Sequence, residues 1–542
     1  MKSEHKKYIE ANIGKKPIGQ IAKELGLKER KIRKYLESIK VEKPEAGPVE
    51  VSTPAGPVRR GGKYIFILLL IIMVTASYAN IVTGGVVWDD QTIVVRNDAI
   101  KSFDNLAYIF RNEFAEKAKY NGNIYRPIQE LSFMVDYFLW GMDATGFHVT
   151  NILLQTACAI ALFYLIFSIS GSAVTAFITA VIFGIHPLNT EAISYISGRS
   201  DPLYFLFLLS AFLFYIKSDS ANNPARVIIY IISAMLYALS LLARETALVL
   251  PLLLLSYEAY MKKDKKINLY KLMPFFIIPV LYGFLRFKFI EFEGVKLRPL
   301  GINAIVFTDI KLVFQYLRLI LFPFNLHMER RVFLSTTADK EVILASLVII
   351  PVLFLAFRLR NKRKDIFFWI LWFVILLLPH MNFIGLNAMF AEHWVYGAAI
   401  GIYAIFAIFL KDLMQKGEYE KRLSYICLIG IIVYFVSLTF MRNFDWRNEP
   451  SIYSNTLKYG RSPRVLSNLG VYYELNKEYD NAIEVYKEAL EISPNTPLYY
   501  NNIAVAYLKK GNIKEAVYHW EKSLALDQDQ PNIKEALKKY KR

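Results

Sequence analysis

Asp89 and Asp90 stand side by side in GGVVWDDQTIVVRN, directly after a long apolar stretch. Other ionisable residues sit at the ends of apolar stretches in the same way. Tyr125 and Arg126 lie in YRPI and His148 opens another apolar run. HPLNTEAISYISGRSD carries His186, Glu191, Arg199 and Asp201. Arg244-Glu245, Arg318 and Glu392-His393 complete the set. At membrane depth such groups cost several kcal/mol unless paired or wetted, so each is a functional suspect. A carboxylate beside a sugar–phosphate bond takes the acceptor's proton. Arginine forks and histidines stabilise the charge growing on a leaving phosphate. The chain holds no Gly-rich nucleotide cradle and no evident metal triad. The inventory points to transfer from a membrane-embedded phosphate donor, which supplies an activated group where nucleotides are absent. Each residue also has a plainer reading: Asp89-Asp90 as loop caps, His186-Pro187 as a turn, Arg199 with Asp201 and Arg244 with Glu245 as structural ion pairs, Glu392-His393 as an interfacial anchor. Their common placement on one side of the membrane favours chemistry.

That placement follows from the apolar pattern. Hydrophobic residues make up 54% of the 542 and aromatics 15%, with mean hydropathy +0.29, too apolar for a soluble globule. About 20 helical residues at ~1.5 Å each cross a ~30 Å hydrocarbon core. Eleven spans are expected near 64–83, 147–168, 173–187, 203–217, 227–243, 246–260, 273–289, 341–357, 366–381, 394–410 and 423–441. The net charge of +18 gathers in short loops, as the positive-inside bias requires, and so reports topology before nucleic acid. Arg59-Arg60 with Lys63, Lys262 to Lys271, Arg358 to Lys364 and Lys411 to Arg422 are then cytoplasmic. Loops 84–146, 186–202, 290–340 and 382–393, and everything after Arg442, fall outside. Residues 310–326 contain Lys311, Arg318 and Pro323 and are read as re-entrant or interfacial. The first span lies behind a long polar segment and reads as a retained anchor, not a cleaved signal. Cys158 and Cys427 both sit in apolar spans, which supports neither a disulfide framework nor a zinc site.

The flanks are polar. Residues 462–495 and 496–529 align at a period of 34, pairing Asn468 with Asn502, Gly470 with Ala504, Tyr473 with Tyr507, Ala482 with Ala516 and Tyr486 with Trp520. This is the tetratricopeptide length, with 530–541 as a capping helix. A peptide-gripping surface and a membrane-docked spacer both fit. Near the N-terminus, IGQIAKELGLKERKIRKYLESI has the apolar spacing of a helix-turn-helix about Gly26. A basic hairpin on an anionic membrane face is preferred over a nucleic-acid partner. VEKPEAGPVEVSTPAGPVRRGG reads as a flexible linker. The expected organisation is all-α: a hairpin at 1–40, a linker at 41–63, a polytopic bundle at 64–445 and repeats at 446–542.

The order WDD, YRPI, GFHVTNILLQ, HPLNTEAISYISGRSDPL, ARETALVLP, YLRLILFPFNL, AEHWVYGAAIG and RNFDW, followed by the repeats, resembles the transmembrane and tetratricopeptide-repeat-containing O-mannosyltransferases. It is most similar to their prokaryotic relatives, within the GT-C superfamily, over about residues 64–541. The resemblance implies an acidic pair, Asp89-Asp90, with catalytic function, and Asp90 is the preferred base. Tyr125, Arg126, His186, Glu191, Arg199, Asp201, Arg244, Glu245, Arg318, Glu392 and His393 would line the donor's phosphate and sugar. It further implies a polyprenyl-phosphate sugar as co-substrate, inversion at the anomeric carbon and no obligatory cofactor or metal. The partners would be membrane lipid and an acceptor protein or glycan met through residues 462–529, at the cytoplasmic membrane. Arg244-Glu245-Thr246 stands where relatives often have Lys-Glu-Thr. Glu392-His393-Trp394 replaces the Glu-Arg-Tyr of eukaryotic relatives and loses a fixed cation. A non-enzymatic scaffold that assembles an envelope complex through its repeats is the competing class.

Overall fold

The computed structural model describes residues 3–12, 18–38, 60–111, 125–220, 224–262, 267–289, 301–383 and 388–541. Among them every regular element is a helix. The chain divides into residues 1–58 and 59–542.

The first unit has three helices, Ser3–Asn12, Ile18–Glu24 and Glu29–Ser38. Ile9, Ile21, Ala22 and Ile32 form its core, with Leu25, Leu27 and Tyr35 packed on it. The expected hairpin is therefore the last two members of a three-helix unit, and Ile9 supplies the apolar residue that a two-helix reading lacks. The expected linker falls almost wholly outside the described residues; at its far end the first membrane helix, Arg60–Tyr78, starts four residues before the expected position 64.

Among the described residues of the second unit, seven helices are each long and apolar enough to cross a membrane: Lys63–Thr83, Ala144–Ser170, Ile196–Asp219, Ala225–Ala243, Leu269–Arg286, Lys340–Leu359 and Glu418–Trp446. An eighth is broken, Ala173–Ile185 running into Pro187–Ile193 at a 50° bend. The protein is a membrane protein. Lys340–Leu359 turns Leu344, Leu347, Ile350 and Phe354 outward, which suits lipid and not water. The three remaining expected spans are short helices: Leu250–Tyr260, Lys364–Leu377 and Ile400–Met414. Each is flanked by tight turns, at Glu245–Val249, Leu378–His380 and Glu392–Val395. Irregular backbone at such depth survives only where protein covers it. Residues 310–326, read as re-entrant or interfacial, fall on Ile302–Leu321, one unbroken helix of 20 residues, and on the non-helical stretch that begins at Phe322.

Ala173–Ile185 is the centre of the bundle, buried at every position but Val174. Arg60–Tyr78, Ala144–Ser170, Ile400–Met414 and Glu418–Asn443 surround it. Gly171, in the left-handed region at φ +67, ends one span, and the Ser172 hydroxyl accepts from Thr175 N to start the next. That combination turns the chain back in two residues. At one end of the bundle Tyr215 Oη donates to Glu258 (2.9 Å), Lys262 holds Glu258 and Asp219, and Lys271 holds Asp219. The other end carries the chemistry described below.

Glu418–Asn443 continues through Phe444–Trp446 into Glu449–Tyr459, which packs on the first repeat helix. The repeats are Pro463–Leu475 with Tyr479–Ile492 and Pro497–Lys509 with Ile513–Leu526, closed by Pro531–Tyr540. The small–large pairing is physical. A Cβ on Gly470 would sit 2.3 Å from the Tyr486 ring, while Ala504 and Trp520 pack in one cluster with the closing helix. Gly470→Leu should expel the Tyr486 ring and unlock the first repeat, costing about 1–3 kcal/mol or more. Limited proteolysis should then cleave within 461–542 at protease levels that leave the unsubstituted chain intact; unchanged resistance would contradict this packing.

Candidate active site

The loop after the first span sets the two aspartates apart. Trp88 takes φ +53, a left-handed conformation rare for a bulky residue. The turn sends Asp90 inward and leaves Asp89 half-buried at the edge. Asp90 is fully buried. Its Oδ2 accepts from Val87 N (3.0 Å), and its Oδ1 from Ser197 N (2.8 Å) and Ser197 Oγ (2.5 Å). Burial outweighs these donors and pushes its pKa up to about 7. Asp89 is also raised by burial, against the pull of the Arg464 guanidinium and the Tyr195 hydroxyl. Asp90 was the preferred base on sequence. Both of its oxygens are engaged by the protein's own donors, whereas Asp89 is only half-buried, with Tyr195 and Arg464 beside it.

The HPLNTEAISYISGRSD block is not an open loop but a buried, twice-broken helix between Ala173–Ile185 and Ser200–Ser220. Gly198 is required at its fold-back, since a Cβ there would lie 2.5 Å from the Glu191 carbonyl oxygen. That close approach points Ser197 at Asp90 and, one turn on, Ser200 at a pair of arginines. Ser200 Oγ accepts from Arg126 Nη1 (3.4 Å) and Arg244 Nη1 (3.1 Å). Arg126 clasps Glu245 with two bonds, 2.7 and 3.2 Å. Arg244 pairs with Asp201 at 2.6 Å. Arg244 and Glu245, neighbours read as a self-neutralising pair, thus face different partners. Glu245 and Arg126 keep 33% and 16% side-chain exposure, so this basin reaches solvent. Arg286 also acts on Glu245.

A second basic group adjoins it. Glu191 receives His393 N (3.0 Å) and His393 Nδ1 (2.8 Å). The neighbouring Glu392 receives His327 N (2.8 Å), Arg330 (3.0 Å) and Arg442 (3.5 Å). Arg442 Nη2 meets Glu392 only as an ion pair, and Arg330 Nε and Arg442 Nε are buried with no hydrogen-bond partner. Arg318, bonded to Gln315 Oε1 at 3.2 Å, lies within electrostatic reach of Arg330.

Three expected donor-binding residues are engaged elsewhere. Arg199 does not pair with Asp201. It is 0% exposed, bonds Asp136 (2.5 Å), Asn151 Oδ1 (2.6 Å) and Phe147 O (2.9 Å), and lies over the Phe133 ring. His186 Nδ1 accepts from Leu188 N, its Nε2 faces Ile320 O, and its ring packs on Tyr403 and Phe435. Tyr125 Oη donates to Phe110 O. Sequence reading missed Ser197, Ser200, Arg286, Arg330 and Arg442. Arg286 inside an apolar span and Arg442 at the end of one were legible signals; the serines and Arg330 had none.

Two tetratricopeptide families match the chain, TPR repeat over residues 470–511 and Tetratricopeptide repeat over 497–530. Protein O-mannosyl-transferase F38B6.6 of Caenorhabditis elegans is 26% identical over 77% of this chain and 62% of its own length. Protein O-mannosyl-transferase TMTC3 of Homo sapiens is 23% identical over 83% of this chain and 54% of its own. Protein O-mannosyl-transferase TMTC1 of Homo sapiens is 31% identical over a shorter stretch, 35% of this chain and 23% of its own. The chain therefore spans between about half and three fifths of the two relatives it matches along most of its length. Among solved structures, the APC/C hetero-tetramer Cut9–Hcn1 aligns over 83% of this chain and 99% of its own at 14% identity, with a TM-score of 0.20, too low to bear on the fold.

Arg199→Met should strand Asp136 in the interior and cost about 3–5 kcal/mol, as breaking a buried pair does. The measurement is the detergent melting temperature beside Arg126→Met. Arg199→Met should lower it far more than Arg126→Met, whose site is open to solvent; equal melting of the two would place Arg199 in the basin after all.

Proposed function

We propose, for a chain whose homologues are protein O-mannosyl-transferases, a membrane glycosyltransferase that moves a sugar from a polyprenyl-phosphate donor to a protein hydroxyl. Mannose is the expected sugar. Transfer takes place on the extracytoplasmic side of the cytoplasmic membrane, by a GT-C-type inverting displacement that needs no metal or cofactor. The observation that carries this reading is the single stretch Ser197 to Asp201, which braces Asp90, the neighbour of Asp89, at one end and meets the Arg126–Arg244 basin at the other.

In the step itself the acceptor oxygen gives its proton to Asp89 and bonds to the anomeric carbon. The bond from that carbon to the phosphate oxygen breaks, and polyprenyl phosphate leaves with the electron pair. Guanidinium groups at Arg126, Arg244, Arg330 and Arg442 oppose the charge that develops there. Asp90 holds the loop in place. The repeats, on the same end of the bundle as Asp89, favour a polypeptide acceptor over a glycan. The domain limits 1–40, 64–445 and 446–542 remain our assignment.

The test is transfer of label by purified protein in detergent from a panel of polyprenyl-phosphate sugars, followed in protein and lipid fractions. Asp89→Asn should lower the rate by about 10²–10⁴-fold, the usual worth of a general base, with the melting temperature unchanged. Asp90→Asn should lower both, because its amide N would face Val87 N–H. Wild-type protein inert toward every donor would end the transferase reading in favour of a scaffold. The rate should also depend on pH. A base works ionised, so activity is lost on acidification, and burial places that limb above the ordinary carboxylate value of 3.8. A limb at or below that value would exclude Asp89 as the base.

A further inference from the structure

The catalytic loop is held from a distant part of the chain. Trp88 occupies a left-handed conformation that costs about 1–2 kcal/mol and persists only if its surroundings impose it. Those surroundings come from the repeat side. The Trp88 ring meets the Tyr453 ring edge-on at 5.6 Å, and the Arg464 guanidinium lies over it at 5.1 Å. Tyr453 is buried in Glu449–Tyr459, and Arg464 opens the first repeat helix, Pro463–Leu475. Arg464 is itself fixed. Its Nε and Nη2 bond the Glu329 carboxylate at 3.0 and 2.9 Å, and Ser462 Oγ, on the residue that caps the same helix, donates to Glu329 at 2.9 Å. Gly85 N donates to Arg447 O (2.9 Å), and the His327 ring stacks on Tyr459 at 4.8 Å. The Asp89 loop, the Glu329 loop and the start of the repeats therefore form one surface.

We propose that the repeat domain completes the active site, with Arg464 as a positioning residue that, anchored on Glu329, holds Trp88 and so aims Asp89. This rests on the transferase reading above and deepens it. The repeats then do more than bind an acceptor: their first helix sets the geometry of the base. A polypeptide lying on them would enter beside the Arg464–Trp88 contact, at the edge where Asp89 is half-buried. Asp89 sees the Arg464 charge across that contact.

The experiment uses the full chain in detergent with a fixed donor and a titrated acceptor polypeptide, and separates kcat from the acceptor KM. Arg464→Ala and Arg464→Gln should each lower kcat by about tenfold with KM moved less than about twofold, the pattern of a group felt in the transition state. Arg464→Lys keeps a cation over the ring and should retain about a third or more of kcat. Arg464→Gln keeps the first methylenes and a polar end without the charge, so it carries the test if the alanine variant does not elute as wild type does. Wild-type kcat in both neutral variants would overturn the proposal. So would a loss confined to KM, which means mere tethering, or a lysine variant as poor as alanine. An inert wild type would instead remove the transferase reading, and this inference with it.

Discussion

The site depends on one short segment being buried at the end of the bundle. Within Ser197 to Asp201, one hydroxyl and one amide brace Asp90, a second hydroxyl sits between Arg126 and Arg244, and Asp201 neutralises Arg244. In a low-dielectric interior each of these charges would be prohibitive alone. They are tolerable only because the backbone at Gly198 folds tightly enough to bring all the partners into one turn. Arg199, in the middle of the segment, points the other way and fastens it to Asp136 and Asn151.

That constraint explains the odd lengths of the spans. A helix that runs straight through the membrane satisfies its own backbone but presents side chains only along its flanks. Here the central helix breaks at His186, and the neighbouring short helices are flanked by tight turns at Glu245–Val249 and Glu392–Val395. Their ends thereby deliver Glu191, Glu245, Glu392 and His393 to the charged pairs of the site. Surrounding protein replaces the water those ends would otherwise need. The cost of irregular backbone is met by burial, and the gain is a group of charges that no continuous helix could assemble.

The distribution of charge partners also divides the residues by kind. Arg199 and His186 have their bonding capacity largely filled by the fold. Arg126 and Glu245 are paired yet reach solvent, and Arg330 and Arg442 keep buried N–H groups free. A polar group that the protein itself satisfies is architecture. One that is desolvated, charged and incompletely satisfied is poised for a ligand.

The sequence by itself determined the membrane bundle, the repeats and the cluster of residues at one end, because hydrophobic length and a 34-residue period are local properties of the chain. Hydropathy placed Asp89 beside the first span, and the small–large alternation of Gly470 with Tyr486 was visible in the repeat alignment before the ring was seen against the glycine. It could not say which of two adjacent aspartates is open, since that turns on the φ angle of Trp88 and on donors more than a hundred residues away. Nor could it pair Arg199 with Asp136, or bring Arg464 to the loop that carries Asp89. Neighbouring charges such as Arg244-Glu245 look like partners in a string of letters. Only the tertiary structure decides partners, because burial makes an unpaired charge so costly that each takes the best-placed counter-charge in space, whatever its distance along the chain.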